Sequence, residues 1–134
     1  MDRPELFQSK TVREIATEAD WEALVENVSG RVMVEFFVTW CPHCQREAPL
    51  LDDAAADIRA LGVELYHANA EVMWTKGSVY GISETPSFIL LEGGKLIAKH
   101  EGFLDESQLI GFAKDEIDDS ASDPSQRLSS LLEL

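Results

Sequence analysis

Only two cysteines occur among the 134 residues, too few for a small secreted scaffold held by disulfides. A bridge between Cys41 and Cys44 would close too short a loop to remove much unfolded-chain entropy, so a structural staple is disfavoured. Basic residues are also scarce: 11 Lys and Arg stand against 25 Asp and Glu, giving a formal charge of −14. That balance opposes attraction to nucleic-acid phosphates and to anionic membrane surfaces, so neither is expected as a partner. Part of the excess lies in "KDEIDDSASDP", where it reads as the charge of a solvated tail. No stretch approaches the roughly 18 to 20 apolar residues of a membrane span. The opening "MDRPELFQSK" lacks the basic-then-apolar pattern of a secretory signal, which leads to the expectation of a cytoplasmic protein.

What the chain does contain fits one domain. A hydrophobic fraction of 45 % is ordinary for a buried core. The expected division is a folded domain over 1–117 and an acidic, flexible tail over 118–134, whose end "RLSSLLEL" spaces Leu128, Leu131 and Leu132 as a short helix would. "TVREIA" alternates weakly, as an edge strand does, and Trp21, Leu24, Val25 and Val28 then recur at helical spacing. "RVMVEFFV" is a nearly unbroken apolar run that suits a strand buried on both faces. A helix is predicted from Pro42 to about Leu61, with Leu50, Leu51, Ala54, Ala55, Ile58 and Leu61 on its apolar stripe and a kink expected at Pro49 unless the first turn is a separate piece. "GVELYHA" reads as a strand, "EVMWTKGSVYG" as a short or irregular helix, and "SFILLEG" with "KLIAKHEG" as a hairpin about Gly93-Gly94. Asp105-x-x-Gln108 has the form of a capping box opening a last helix with Leu109, Phe112, Ala113 and Ile117 on one face. The order is β-α-β-α-β-α-β-β-α, an α/β domain without internal repeats.

The chemistry centres on Cys41-Pro42-His43-Cys44, where the buried strand ends and the long helix begins. A thiolate, not a thiol, attacks a disulfide. The unpaired N–H groups and positive dipole end of a helix starting at residue 42 stabilise an anionic sulfur, so Cys41 at the tip is the better nucleophile. Cys44, one turn on, is placed to attack a mixed disulfide formed at Cys41. His43 can add positive charge or a donor near the sulfur and favour the reduced pair. Glu35 interrupts the buried strand, so it must keep a raised pKa or find a partner, unless it faces outward at the strand end.

The stretch "VEFFVTWCPHCQREAPLL" resembles the active-site strand and helix of the thioredoxin family, with Trp40, Cys41, Cys44 and Pro49 matching its pattern. A second block, "YGISETPSFILLEGGKLIAKHEG", is similar to the family's later segment through Thr85, Pro86, Gly94 and Gly102. The resemblance spans roughly residues 10 to 117. It implies a central mixed sheet of four to five strands flanked by helices on both faces. It also implies a cis Pro86 facing the dithiol and a Thr85 whose backbone meets the substrate, beside Trp40. Glu35 stands where many members carry a buried aspartate that relays a proton to or from the resolving cysteine. His67 stands near the position of a lysine that partners that acid. It could couple Glu35 to a titration in the neutral range, or be an ordinary half-buried strand residue.

The dipeptide Pro42-His43 departs from the Gly-Pro of thioredoxins and is similar to that of bacterial periplasmic disulfide oxidases, which points to a more oxidising pair. Those oxidases carry a helical insertion for which the chain between Cys44 and Pro86 has no room. The missing export signal fits a cytoplasmic reductase better, so both directions stay open. The expected activity is thiol–disulfide exchange on protein substrates, without a cofactor or metal, by a monomer served by a redox partner such as a reductase. Two rivals remain at this point. A metal module would recruit His43, His67 or His100 to the two thiols, although one Cys-x-x-Cys falls short of the usual four ligands. A non-catalytic adaptor would hold a partner in the Thr85-Pro86 groove. Trp74, Tyr80 and a solvated His100 read as packing or local surface.

Overall fold

The structure is a computed structural model that describes residues 12–116; the expected tail and its three leucines lie outside the described residues. Five strands form one sheet in the order β1-β3-β2-β4-β5. They are β1 (Arg13–Glu14), β2 (Arg31–Phe37), β3 (Val63–Asn69), β4 (Ser87–Glu92) and β5 (Lys95–Glu101). β2 pairs parallel with β3 and antiparallel with β4, so it lies at the centre of a mixed sheet. The edge strand expected over "TVREIA" shrinks to two residues, paired with Tyr66 and His67 of β3.

Alternation along β2 sorts its side chains between two cores. Val32, Val34 and Phe36 face a cluster with Trp21, Val25, Ile89 and Leu91. Met33 faces the opposite cluster with Leu51, Ala54, Ile58, Phe88 and Phe112. On that second face lie α2 (Pro42–Ala60) and α4 (Glu106–Ala113); on the first lie α1 (Glu18–Trp21) and α3 (Trp74–Val79). Thr17 caps α1, and the helix widens into a π-helical turn over Glu22–Glu26. The expected helical spacing thus holds through Trp21 and Val25 with a change of pitch that residue spacing does not reveal. α2 runs as one helix through Pro49, with Pro42 at its first turn, where the missing N–H has no intrahelical partner to lose. Asp105 and Gln108 form the reciprocal capping box at the start of α4.

β4 and β5 join through Gly93 and Gly94, at φ +60° and +80°. Two consecutive positive φ values match the hairpin turn whose twist suits the flanking strands. A Cβ on Gly94 would also sit 2.5 Å from the Glu26 carbonyl oxygen, whereas one on Gly93 would meet nothing closer than 3.8 Å. Both Gly93→Ala and Gly94→Ala incur the left-handed backbone cost, and only the second meets a backbone atom. Thermal or urea unfolding should therefore show Gly94→Ala less stable than Gly93→Ala, by about 1–3 kcal/mol. Equal stabilities would contradict the packing of this turn on the π-helical segment.

Candidate active site

The end of β2 delivers the chain to Cys41, which takes the extended conformation of a helix N-cap (φ −85°, ψ 118°). Its Sγ accepts the backbone N–H of Cys44 at 3.3 Å, and its thiol lies 3.5 Å from the Thr85 carbonyl oxygen as donor. Both cysteines are free thiols. Cys41 keeps 7 % exposure and Cys44 none. The helix tip is therefore more covered than its position in the sequence suggests, because Phe37, Val38 and Ala70 pack against the pair.

Thr85 is presented by a loop held at several points. The Thr85–Pro86 peptide bond is cis. Ser87 Oγ donates to the Glu84 carbonyl at 2.5 Å, Gly102 N donates to the Pro86 carbonyl at 2.8 Å, and Glu101 accepts from both Ser83 N and Ser83 Oγ. On the other side, Trp40 donates its indole N–H to Glu71 at 3.1 Å. His43, exposed on the first turn of α2, lies 3.5 Å from Arg46, whose guanidinium sits 4.7 Å over the Phe103 ring.

Beneath the dithiol lies an unusual concentration of buried ionisable groups. Glu35 falls between Met33 and Phe37 in the alternation of β2, so it points to the α2 face and not outward, and it is fully buried. Neither of its carboxylate oxygens has a hydrogen-bond partner. Burial first, then the charges of Glu47 and Cys41, hold its pKa well above the ordinary carboxylate range. His67 is its register partner across the β2–β3 pair, with Nδ1 3.9 Å from Glu35 Oε1 and its ring stacked on Phe37. Burial pushes the imidazole down to about 4. His67 is accordingly neutral at pH 7, outside the neutral-range titration that one of its two readings gave it. Burial also pushes the Cys44 thiol up to about 12, helped by its hydrogen bond with Cys41 and by the Glu35 charge.

Sequence reasoning missed Glu47. It is fully buried one turn after Cys44, and its Oε1 accepts the Leu104 N–H at 2.8 Å while Oε2 has no partner. Burial, opposed by that hydrogen bond, raises its pKa to about 7. The signal was present: positions 47, 51, 54 and 58 share one helical stripe, so extending the apolar stripe backward by one turn reaches Glu47. His100, expected in solvent, is instead half-buried beside Phe88, with ring centroids 6.4 Å apart. Trp74 is surface, and Tyr80 packs on Trp21. Among the described residues, no group of three His, Cys, Asp or Glu side chains converges as metal ligands would, and no helix is long and apolar enough to cross a membrane.

A mixed sheet covered on both faces, with a vicinal thiol pair at the start of one covering helix and a cis-proline loop against it, defines an α/β dithiol domain. The thioredoxin family model matches residues 12–115, and the chain belongs to the thioredoxin family, a family of thiol–disulfide oxidoreductases. It is 28 % identical over 100 residues to a thioredoxin of Haemophilus influenzae, covering 75 % of this chain and 92 % of that one. A Pseudomonas aeruginosa thioredoxin is 30 % identical over 96 residues, with 72 % and 88 % covered. Among solved structures, Fasciola hepatica thioredoxin superposes with a TM-score of 0.67 at 27 % identity, over 79 % of this chain and all of that one.

Proposed function

We propose that this protein exchanges disulfides with protein substrates through Cys41, with Cys44 as the resolving thiol and Glu35 as its proton acceptor. The observation that carries the reading is the position of the Cys41 sulfur: it caps α2, accepts the Cys44 N–H at 3.3 Å and faces the Thr85 carbonyl at 3.5 Å. That placement leaves the Cys41 sulfur facing the substrate loop, and a thiolate is the form of sulfur that attacks a disulfide. The Cys41 thiolate attacks one sulfur of a substrate disulfide, the Cys41–substrate bond forms, and the other substrate sulfur leaves as a thiolate that takes a proton. Once the mixed disulfide has formed, Glu35 releases its own proton to water; Cys44 then loses its proton to the Glu35 carboxylate and attacks the Cys41 sulfur. The mixed disulfide breaks, the second substrate thiolate leaves, and two electrons have passed to the substrate.

Trp40 and Thr85 would flank the incoming chain, with Thr85 offering backbone groups in the manner of an added strand and Pro86 fixing that loop. Pro42 and His43, at the helix start, would tune the couple through backbone geometry and charge, and His67 through its contact with Glu35. Protein thiols and disulfides would be the substrates of a monomer returned to its starting state by a redox partner.

The test mixes the reduced protein with a two-chain protein joined by interchain disulfides and follows both by intact mass. The wild type should lose two hydrogens as the chains separate, and Cys41→Ser should leave the chains joined. Chain separation by Cys41→Ser at the wild-type rate would overturn the reading.

A further inference from the structure

Beside the dithiol lies a cavity of about 340 Å³, lined by Trp40, Trp74, Ile82, Glu84 and Thr85 above the Phe36 ring. The two tryptophans retain 57 % and 64 % exposure, so a large aromatic area faces the opening without a covering side chain. The hydrogen bond to Glu71 holds the Trp40 ring in place. Glu84 also lines the neighbouring depression of about 290 Å³, with His43, Pro86 and Phe103, so it stands where the two hollows meet. Glu84 is exposed and takes part in none of the ion pairs among the described residues. Lys76, the lysine of α3, is engaged with Glu26 at 3.4 Å.

Aromatic walls with a carboxylate at one edge match one kind of side chain better than others. Arginine and lysine lay an apolar stem along aromatic surface and keep a cationic head beyond it. The head is attracted both by the ring faces and by the carboxylate. A leucine would cover the tryptophans and leave Glu84 partly dehydrated without a partner, and a glutamate would be repelled. The chain's charge of −14 adds a long-range attraction for basic segments. Thr85 borders both the cavity and the Cys41 sulfur. An extended chain advances about 3.3 Å per residue and repeats its face every two, so the cavity is within reach of a residue two positions from the substrate cysteine.

We propose that Trp40, Trp74 and Glu84 form a subsite selecting substrates whose disulfide cysteine has an arginine or lysine two residues away. The placement of the cysteine in this inference rests on the exchange reading above, and the subsite's charge preference is tested separately from it.

The experiment compares kcat/KM for mixed peptide disulfides identical except for Arg, Gln or Glu two residues from the cysteine, on either side. The wild type should prefer Arg over Gln by about tenfold on one side and disfavour Glu further. Glu84→Lys should reverse the order, and Trp74→Ala should reduce the Arg preference several-fold. Equal values for the three peptides, or an order unmoved by Glu84→Lys, overturn the subsite. In parallel, the same peptides with serine for cysteine are titrated against Cys41→Ser/Cys44→Ser protein and followed by tryptophan fluorescence. Charge-selective binding without exchange in the wild type would keep the subsite and remove the exchange reading. Exchange without charge preference would do the opposite.

Discussion

Replacing Glu35 by glutamine is expected to slow the release of a substrate held on Cys41 by about 10²-fold, while its capture stays within about twofold. The reason is the thiol of Cys44. Burial pushes its pKa up to about 12, so Cys44 is a protonated thiol at pH 7 and, in the proposed mechanism, resolution is helped by a proton acceptor. Glu35 is the buried carboxylate whose charge acts on that thiol, and both of its oxygens are free of other hydrogen bonds. At rest it holds its proton, because burial and the charges of Glu47 and Cys41 all oppose ionisation. Capture of a substrate removes the charge on Cys41, and with it one of those three causes. In the proposed mechanism Glu35 therefore ionises more readily at the step in which Cys44 gives up a proton. Glutamine keeps the size of the side chain and cannot accept the proton. Stopped-flow mixing with a fluorescent peptide disulfide would resolve capture from release. Unchanged release in Glu35→Gln would remove Glu35 from the mechanism, and recovery in Glu35→Asp would support a proton role over a packing one.

The second large effect concerns stability. Glu47 has a folded pKa of about 7 against an ordinary value near 4.5, so between those values the folded state keeps a proton that the unfolded state has released. Its contribution to stability is fully present below about pH 4.5 and is lost as the pH rises through about 7, a change of about 3 kcal/mol. Glu35 acts in the same direction and extends it to higher pH, since its pKa is raised well above the same reference. His67 acts in the opposite direction. Its folded value of about 4 lies below the ordinary 6.5, so its contribution is present above pH 6.5 and lost as the pH falls through about 4. Glu14, whose pKa is also raised by burial, adds to the wild-type profile, and Glu47→Gln removes the Glu47 contribution together with the Glu47 charge that helps raise Glu35. Glutamine retains an acceptor for the Leu104 N–H and cannot ionise. Urea unfolding should show Glu47→Gln gaining about 3 kcal/mol relative to the wild type between pH 4.5 and 8. Parallel pH profiles for the two proteins would contradict the burial of this carboxylate.

Much of this was legible in the residue pattern, and for identifiable reasons. β2 could be read as central because its apolar run leaves no polar face, and α2 because its stripe repeats over several turns. The capping box of α4 is a local interaction between residues three apart, which sequence displays directly. The dithiol could be located because its chemistry needs only a strand end, a helix start and two thiols one turn apart. What escaped depends on contacts distant in sequence. Glu47 is a charged residue on a mainly apolar stripe, and only the approach of Leu104 makes its burial visible. The neutral state of His67 follows from Phe37 and the surrounding core. His100 is drawn out of solvent by Phe88 on the adjacent strand. The π-helical turn after Trp21 shares the periodicity of an ordinary helix too closely to be told apart over five residues.

The most direct test of the central division of labour is capture by a single cysteine. Cys44→Ser protein is incubated with disulfide-bonded protein substrates, separated without reductant and digested to locate the linkage. The account expects covalent adducts through Cys41 that persist until reductant is added, and none with Cys41→Ser. Adducts formed equally well through Cys44 in Cys41→Ser protein, or a Cys44→Ser protein that turns over substrates at the wild-type rate without accumulating any, would contradict it.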